Sequence, residues 1–193
     1  SIMASAQNVI RLNAVADANG RYAQKMIELA ISKLDTPYRL EIGSESSLTQ
    51  ARNIEEVSAG RYDLMWAATD QGMEDALLPI RICLYKGLLG YRVFIIHKDN
   101  QALFDRINSL DDLKTIKLGQ GTTWADTKIL ESNGLTVVKA NKYESLFYMV
   151  DGGRFDAFPR GVQEPWAEIP NYPTLNLAVE KRLMLSYRMP FYL

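Results

Sequence analysis

The chain has 193 residues, 47% of them hydrophobic and 23% charged, a composition that suits one large or two small globular units and excludes a disordered tail. Lys and Arg number 22 against 23 Asp and Glu; the formal charge of −1 offers no basic field for a phosphate backbone and argues against nucleic acid as a partner. One cysteine (Cys83) excludes an intrachain disulfide and one histidine (His97) leaves too few ligands for a Cys/His zinc site, so no metal or other cofactor is expected; no apolar run reaches the roughly 18 residues of a membrane span, so neither is membrane insertion.

Residues 1–6, Ser-Ile-Met-Ala-Ser-Ala, end in Ala-x-Ala and read as a signal-peptide remnant or a cloning scar. Asn8 to Val15 is strand-like, and Asp17-Ala18-Asn19-Gly20 is a turn and capping cluster that should open a helix. Tyr22, Met26, Leu29, Ala30 and Ile31 form the apolar stripe of that helix, and Pro37 closes it before a strand over Tyr38 to Gly43. Ser46 or Ser47 can cap a second helix carrying Leu48, Ala51, Ile54 and Val57 inward and ending at Gly60, followed by a third strand over Arg61 to Ala68.

The order returns further on. Strands are expected at Ile116 to Gly119, Leu135 to Lys139 and Phe155 to Phe158, with helices at Trp124 to Ser132 and Tyr143 to Val150 between them. Gly60-Arg61-Tyr62-Asp63 and Gly153-Arg154-Phe155-Asp156 repeat at equivalent helix-to-strand turns, so two α/β units are implied. Between them, Leu78, Ile80, Ile82 and Leu84 alternate with Pro79, Arg81, Cys83 and Tyr85 as an extended crossing segment into a strand over Gly90 to His97. Leu183 to Leu193 reads as the return crossing. Two connections between two lobes make a hinge, with residues 7–86 plus 187–193 as lobe 1 and 90–184 as lobe 2.

With these turns and crossings in place, the chain resembles the type II periplasmic solute-binding proteins, in particular the polar amino-acid binders of ABC importers (solute-binding family 3). The resemblance rests on Tyr62 to Trp66 with Thr69 behind, Leu78-Pro79-Ile80-Arg81 leading to Gly90-Tyr91-Arg92-Val93, Ser109 to Leu113, Leu118-Gly119-Gln120-Gly121-Thr122 and Gly153 to Phe158. It implies an α/β fold of two lobes joined by two crossing strands, and an extracytoplasmic binding protein that closes on a small-molecule ligand and delivers it to a membrane permease. The first lobe would be incomplete at the C-terminus, because the family continues with further helices. Two departures matter. The family's Arg three residues after its Thr is Gly72 here, and its Asp five residues past the Asp of the turn is Gly161 with Arg160 before it. Both argue against an amino-acid zwitterion and for a ligand with an anionic group.

Candidate ligand residues follow from the same positions. Gly121-Thr122-Thr123-Trp124 joins a strand end to a helix start, where free amides and the helix dipole receive an anion; alternatively a Thr merely caps the helix. Arg160, at a strand end, suits a carboxylate or phosphate, or pairs with Glu164 one turn on. Arg81 projects from the crossing strand into the cleft or bridges to an acidic neighbour. Trp66, Tyr22 and Trp124 form an aromatic wall or belong to the core, the latter favoured for Tyr22. Thr69, Asp70 and Gln71 contact the ligand or form a capping turn, while Asp17 and Asn19 read chiefly as caps, His97 as a turn residue and Cys83 as a small buried apolar group. No catalytic residue is assigned. A sensor domain of a signalling protein on the same fold is the alternative, and a dehydratase-like enzyme using Asp70, Glu74 or Glu164 ranks last.

Overall fold

A computed structural model describes residues 8–14, 17–44 and 48–193. Residues 1–6, the Val15 end of the first expected strand and the capping candidates Ser46 and Ser47 lie outside the described residues. The chain divides into two compact units, one of residues 1–84 with 192–193 and one of residues 85–191.

In unit 1, β1 (Asn8–Leu12) is followed by α1 (Ala18–Ile31), opened by Asp17, whose carboxylate accepts from the Gly20 N–H at 2.7 Å. The buried positions of α1 are Gly20, Ala23 and Ile27, a helical stripe that contains none of the five expected residues. Tyr22 and Leu29 are exposed, which corrects the placement of Tyr22 in a buried stripe. The helix is buried along its smallest side chains, Gly20 and Ala23, and hydrophobicity alone does not mark these. β2 (Tyr38–Ile42) pairs in parallel with β1, Asn8 opposite Tyr38 and Leu12 opposite Ile42. α2 (Gln50–Ser58) is capped by Thr49, and its buried residue is Glu56, ion-paired to Arg61 and Arg52. The expected third strand shrinks to β3 (Ala67–Ala68), because the Arg61 and Tyr62 N–H groups bond back to the Glu56 carbonyl and are spent on the turn. α3 (Gln71–Ala76) starts at Asp70, which accepts from the Met73 N–H at 3.0 Å.

The crossing segment departs from its expected alternation. Leu78 is 92% exposed and Ile80 and Ile82 are also exposed, while Leu84 is buried. The Ile82 N–H bonds to the Ile80 carbonyl at 2.7 Å, a local two-residue turn that breaks the strand period.

Unit 2 contains β4 (Tyr91–His97), the short helices α4 (Gln101–Phe104) and α5 (Leu110–Leu113), β5 (Lys117–Gly121), α6 (Ala125–Ser132), β6 (Thr136–Ala140), α7 (Tyr143–Asp151), β7 (Ala157–Gly161), α8 (Pro165–Glu168), β8 (Leu177–Val179) and β9 (Leu185–Ser186). The sheet runs β6-β5-β7-β4-β8, with β9 also on β4; β5 is parallel to β6 and β7, and β4 is antiparallel to β7, β8 and β9. Alternation along β4 sends Phe94 and Ile96 into one core with Leu118, Leu130 and Ala157, and Ile95 into the other with Leu146, Phe147, Val150, Phe155 and Phe158. β5 extends past its expected end because pairing with β6 places Gln120 and Gly121 opposite Lys139 and Ala140, and β7 because pairing with β4 places Arg160 and Gly161 opposite Val93 and Arg92. Finally β10 (Phe191–Tyr192) pairs with β3, and the Ile80 N–H donates to the Leu193 carbonyl at 2.9 Å.

The repeated turn is structurally the same in both units. Gly60 and Gly153 have φ of +69° and +68°, the left-handed region that glycine enters at no steric cost. Asp63 then donates its N–H to the Arg11 carbonyl and accepts the Arg11 N–H on its carboxylate at 2.7 Å; Asp156 does the same to Lys117, accepting at 2.8 Å.

Candidate functional site

β5 and β7 run in parallel, so their C-terminal ends open on one edge of the unit 2 sheet, where α/β folds meet their ligands. Past β5 the chain makes a tight turn through Gly121 to Trp124 and enters α6. A Cβ on Gly121 would lie 2.4 Å from the Trp124 indole, so only glycine lets the ring fold back over the strand end. Trp124 occupies the N-cap position of α6 and makes no side-chain cap bond; neither Thr122 nor Thr123 caps the helix. Both threonines are exposed, and the Thr122 hydroxyl donates to Asn141 Oδ1 at 2.8 Å. This edge therefore combines an uncapped helix start, two surface hydroxyls and a half-buried indole.

Beneath it lies a buried charge cluster. Arg160 is buried, and its guanidinium bonds to Glu164 Oε1 at 2.8 Å and to both oxygens of Glu168, the shortest at 2.5 Å. Trp124, Tyr143 and Phe158 surround it, with ring centroids 5.2, 5.5 and 5.0 Å from the guanidinium carbon. Of the two readings the sequence leaves for Arg160, the pairing with Glu164 is present, and Glu168 joins it. Burial works against its charge, but Glu164 and Glu168 outweigh that and hold it protonated well above the ordinary arginine range.

The cluster continues across the sheet end. Alternation puts Arg92 on the face of Phe94 and Ile96, and Arg160 on the opposite face with Phe158. Glu164, in the turn after β7, joins the two: its Oε2 accepts from Arg92 at 3.3 Å and from the Gly161 N–H at 2.5 Å. Arg92 also pairs with Asp126 at 3.1 Å, and the same Asp126 oxygen accepts from Gln120 at 2.9 Å and the Tyr187 hydroxyl at 3.3 Å. Tyr143 donates to Glu168 at 2.7 Å. Burial raises Asp126 and Glu168 above the usual carboxylate range, against the opposing pull of Arg92 and Arg160 on Asp126 and of Arg160 on Glu168; burial likewise raises both tyrosines.

The other candidates belong to unit 1. Tyr22 donates its hydroxyl to the Leu84 carbonyl at 2.9 Å, Trp66 is half-buried just ahead of β3, the Thr69 hydroxyl donates to the Asp70 carbonyl at 3.3 Å, Asp70 caps α3, and Arg81 is ion-paired to Glu74 on the surface. Unit 2 thus gathers Gly121, Thr122, Thr123, Trp124 and Arg160 on two neighbouring strand ends. Reading the sequence missed Arg92, Asp126 and Glu168. Arg160, Glu164 and Glu168 are spaced at four-residue intervals, a visible signal of which only the first pair was used; nothing local ties Arg92 to Asp126. Among the described residues no cluster of His, Cys, Asp and Glu is placed to hold a metal, and no helix is long and apolar enough to cross a membrane.

No protein-family model matches the chain, and no curated protein matches its sequence. Solved structures do match. An ancestral arginine-binding protein bound to arginine aligns at TM-score 0.64 and 15% identity over 98% of this chain and 85% of that one. The substrate-binding protein of an amino-acid ABC transporter aligns at 0.60 and 14% over 96% and 85%. The VFT2 domain of BvgS from Bordetella pertussis, as a double mutant, aligns at 0.72 and 16% over 95% and 78%. At these identities the likeness is one of fold, and the fold is the α/β architecture of the type II periplasmic binding proteins.

Proposed function

We propose that this chain is an extracytoplasmic solute-binding module whose two units act as the lobes of a ligand trap, and that it binds a small carboxylate-bearing ligand without chemistry, for delivery to an ABC-type permease. The observation that carries the reading is the uncapped start of α6 beneath the exposed Thr122 and Thr123, at the strand ends where this fold takes its ligands. An anion there gains about 0.3–1 kcal/mol from the helix dipole and a similar amount from the Thr123 hydroxyl, the Thr122 proton being taken by Asn141. Arg160 supports the site from below by fixing Trp124, and its charge is already balanced by Glu164 and Glu168. That balance favours a ligand with a single carboxylate over a polyanion. Gly72 and Gly161 stand where the amino-acid binders resembled carry Arg and Asp, which favours an acid over a zwitterion.

The test is a thermal-shift screen of metabolites. A carboxylate at about 100 times its dissociation constant adds about 2.7 kcal/mol, and Thr123→Val weakens the hit several-fold. Hits confined to cations or zwitterions overturn the reading. A sensor role is the second reading, favoured by the match to BvgS VFT2; a ligand that changes signalling output and not uptake in cells supports it. Catalysis ranks below both, since Asp70 caps a helix, Glu74 is paired to Arg81 and Glu164 to Arg160. Turnover of a cyclic or hydroxy acid would reverse that order.

A further inference from the structure

The cluster under the α6 edge is rich in buried carboxylates. Two guanidiniums, Arg92 on β4 and Arg160 on β7, face three carboxylates, Asp126 on α6, Glu164 after β7 and Glu168 on α8, and all five side chains are at least nine-tenths buried. Tyr143 on α7 and Tyr187 before β10 also face it, both as hydroxyl donors to carboxylates, and Tyr172 lies within electrostatic reach of Glu168 and Arg160. A buried carboxylate oxygen left without a donor is expensive, and proteins resolve it by neutralising the group.

Hydrogen bonding identifies which one. Glu164 and Glu168 have both oxygens engaged. Asp126 has one oxygen, Oδ2, loaded with Arg92, Gln120 and Tyr187, whereas Oδ1 is buried with no partner. Gln120 Oε1, in the side chain that already reaches Asp126, is also buried without a donor, so the same pair of side chains contains an acceptor for an acid proton. We propose that the cluster is a proton-binding site, and that the folded protein at neutral pH holds one proton on Asp126 Oδ1. The raised titration of Asp126 is in keeping with this.

The sign of the linkage follows. A carboxyl that is protonated in the fold and ionised in the open chain makes the native state bind the extra proton, so its contribution to stability is full below the ordinary carboxylate range and is lost as pH rises. One proton corresponds to an unfolding constant that increases up to about tenfold per pH unit. A neutral Asp126 also leaves no charge in the first turn of α6 to satisfy the helix's positive end. That consequence alone rests on the function proposed above; the proton site does not, and its test uses the protein without ligand.

Denaturant unfolding of the full chain is measured from pH 5 to pH 8 for wild type and Asp126→Asn. The wild type is expected to lose stability with rising pH by up to the tenfold-per-unit limit, and Asp126→Asn to lack that part of the slope; His97 is common to both proteins and cancels. Equal slopes overturn the proposal. Should the variant not fold, infrared spectroscopy of wild type decides: a protonated carboxyl carbonyl band at pH 7 that disappears on unfolding supports the site, and its absence in the folded protein overturns it.

Discussion

Units 1 and 2 carry the same turn with the same hydrogen bonds, yet they bury very different interiors. Gly60 and Gly153 turn alike, and Asp63 and Asp156 clamp one residue of a neighbouring strand alike, Arg11 of β1 and Lys117 of β5. Around that common device, unit 2 folds a mixed sheet with a core on each face, including five fully buried phenylalanines. Unit 1 has two-stranded pairs and leaves Leu29, Leu34, Leu78 and Ile82 exposed. The difference teaches that a turn is written in four residues, whereas burial depends on how many strands gather to give a helix a surface.

The largest effect expected from this contrast is in the apolar interior. Phe147→Ala in unit 2 should cost about 3–5 kcal/mol, and Leu29→Ala in unit 1, at an exposed position, less than about 1. Denaturant melts that return similar losses would remove the distinction. Arg160→Ala comes next, at about 3 kcal/mol or more, because it leaves Glu164 and Glu168 buried without their cation. A variant as stable as wild type would mean that the carboxylates find water.

Smaller effects test what the units share. Asp63→Ala and Asp156→Ala each remove a carboxylate from a strand N–H and should cost about 1.5–3 kcal/mol apiece. The additional ion pair of Asp63 with the Arg11 side chain, half open to water, should add less than about 1 kcal/mol. Unequal losses well beyond that would show that the turns are not equivalent. The smallest effect concerns pH. Hydrogen bonding from Arg11 holds Asp63 below the usual carboxylate range, so its stabilisation is present above that range and lost as pH falls through it. Asp126 has the opposite sign and loses its contribution as pH rises. Arg11→Met should therefore shrink the acid limb of the stability profile and leave the slope from pH 5 to pH 8 unchanged.

Much of this was legible in the sequence where a local signal decided it. Asp17 as a cap, the Gly-Arg-x-Asp turns, α7 and the order of strands and helices in unit 2 all rest on residues close in sequence. The stripe of α1 was not legible, because two of its three buried residues, Gly20 and Ala23, are small and leave Ile27 alone to mark the face. Nor was the short β3, whose donors are taken by the Glu56 carbonyl. At the site, the strand-to-helix turn from Gly121 to Trp124 could be placed from its composition. The occupation of Arg160 by Glu168 was not foreseen, and the bond between Arg92 and Asp126 joins residues whose approach is set by the sheet alone.

The most direct measurement is an NMR titration of amide-labelled protein with a small carboxylate from the thermal-shift hits, matched against its neutral amide. Saturable shifts at the Thr123, Ala125 and Asp126 amides with the acid, and none there with the amide, are what a carboxylate site at the start of α6 predicts. Saturation by the acid with these three resonances unmoved would contradict it.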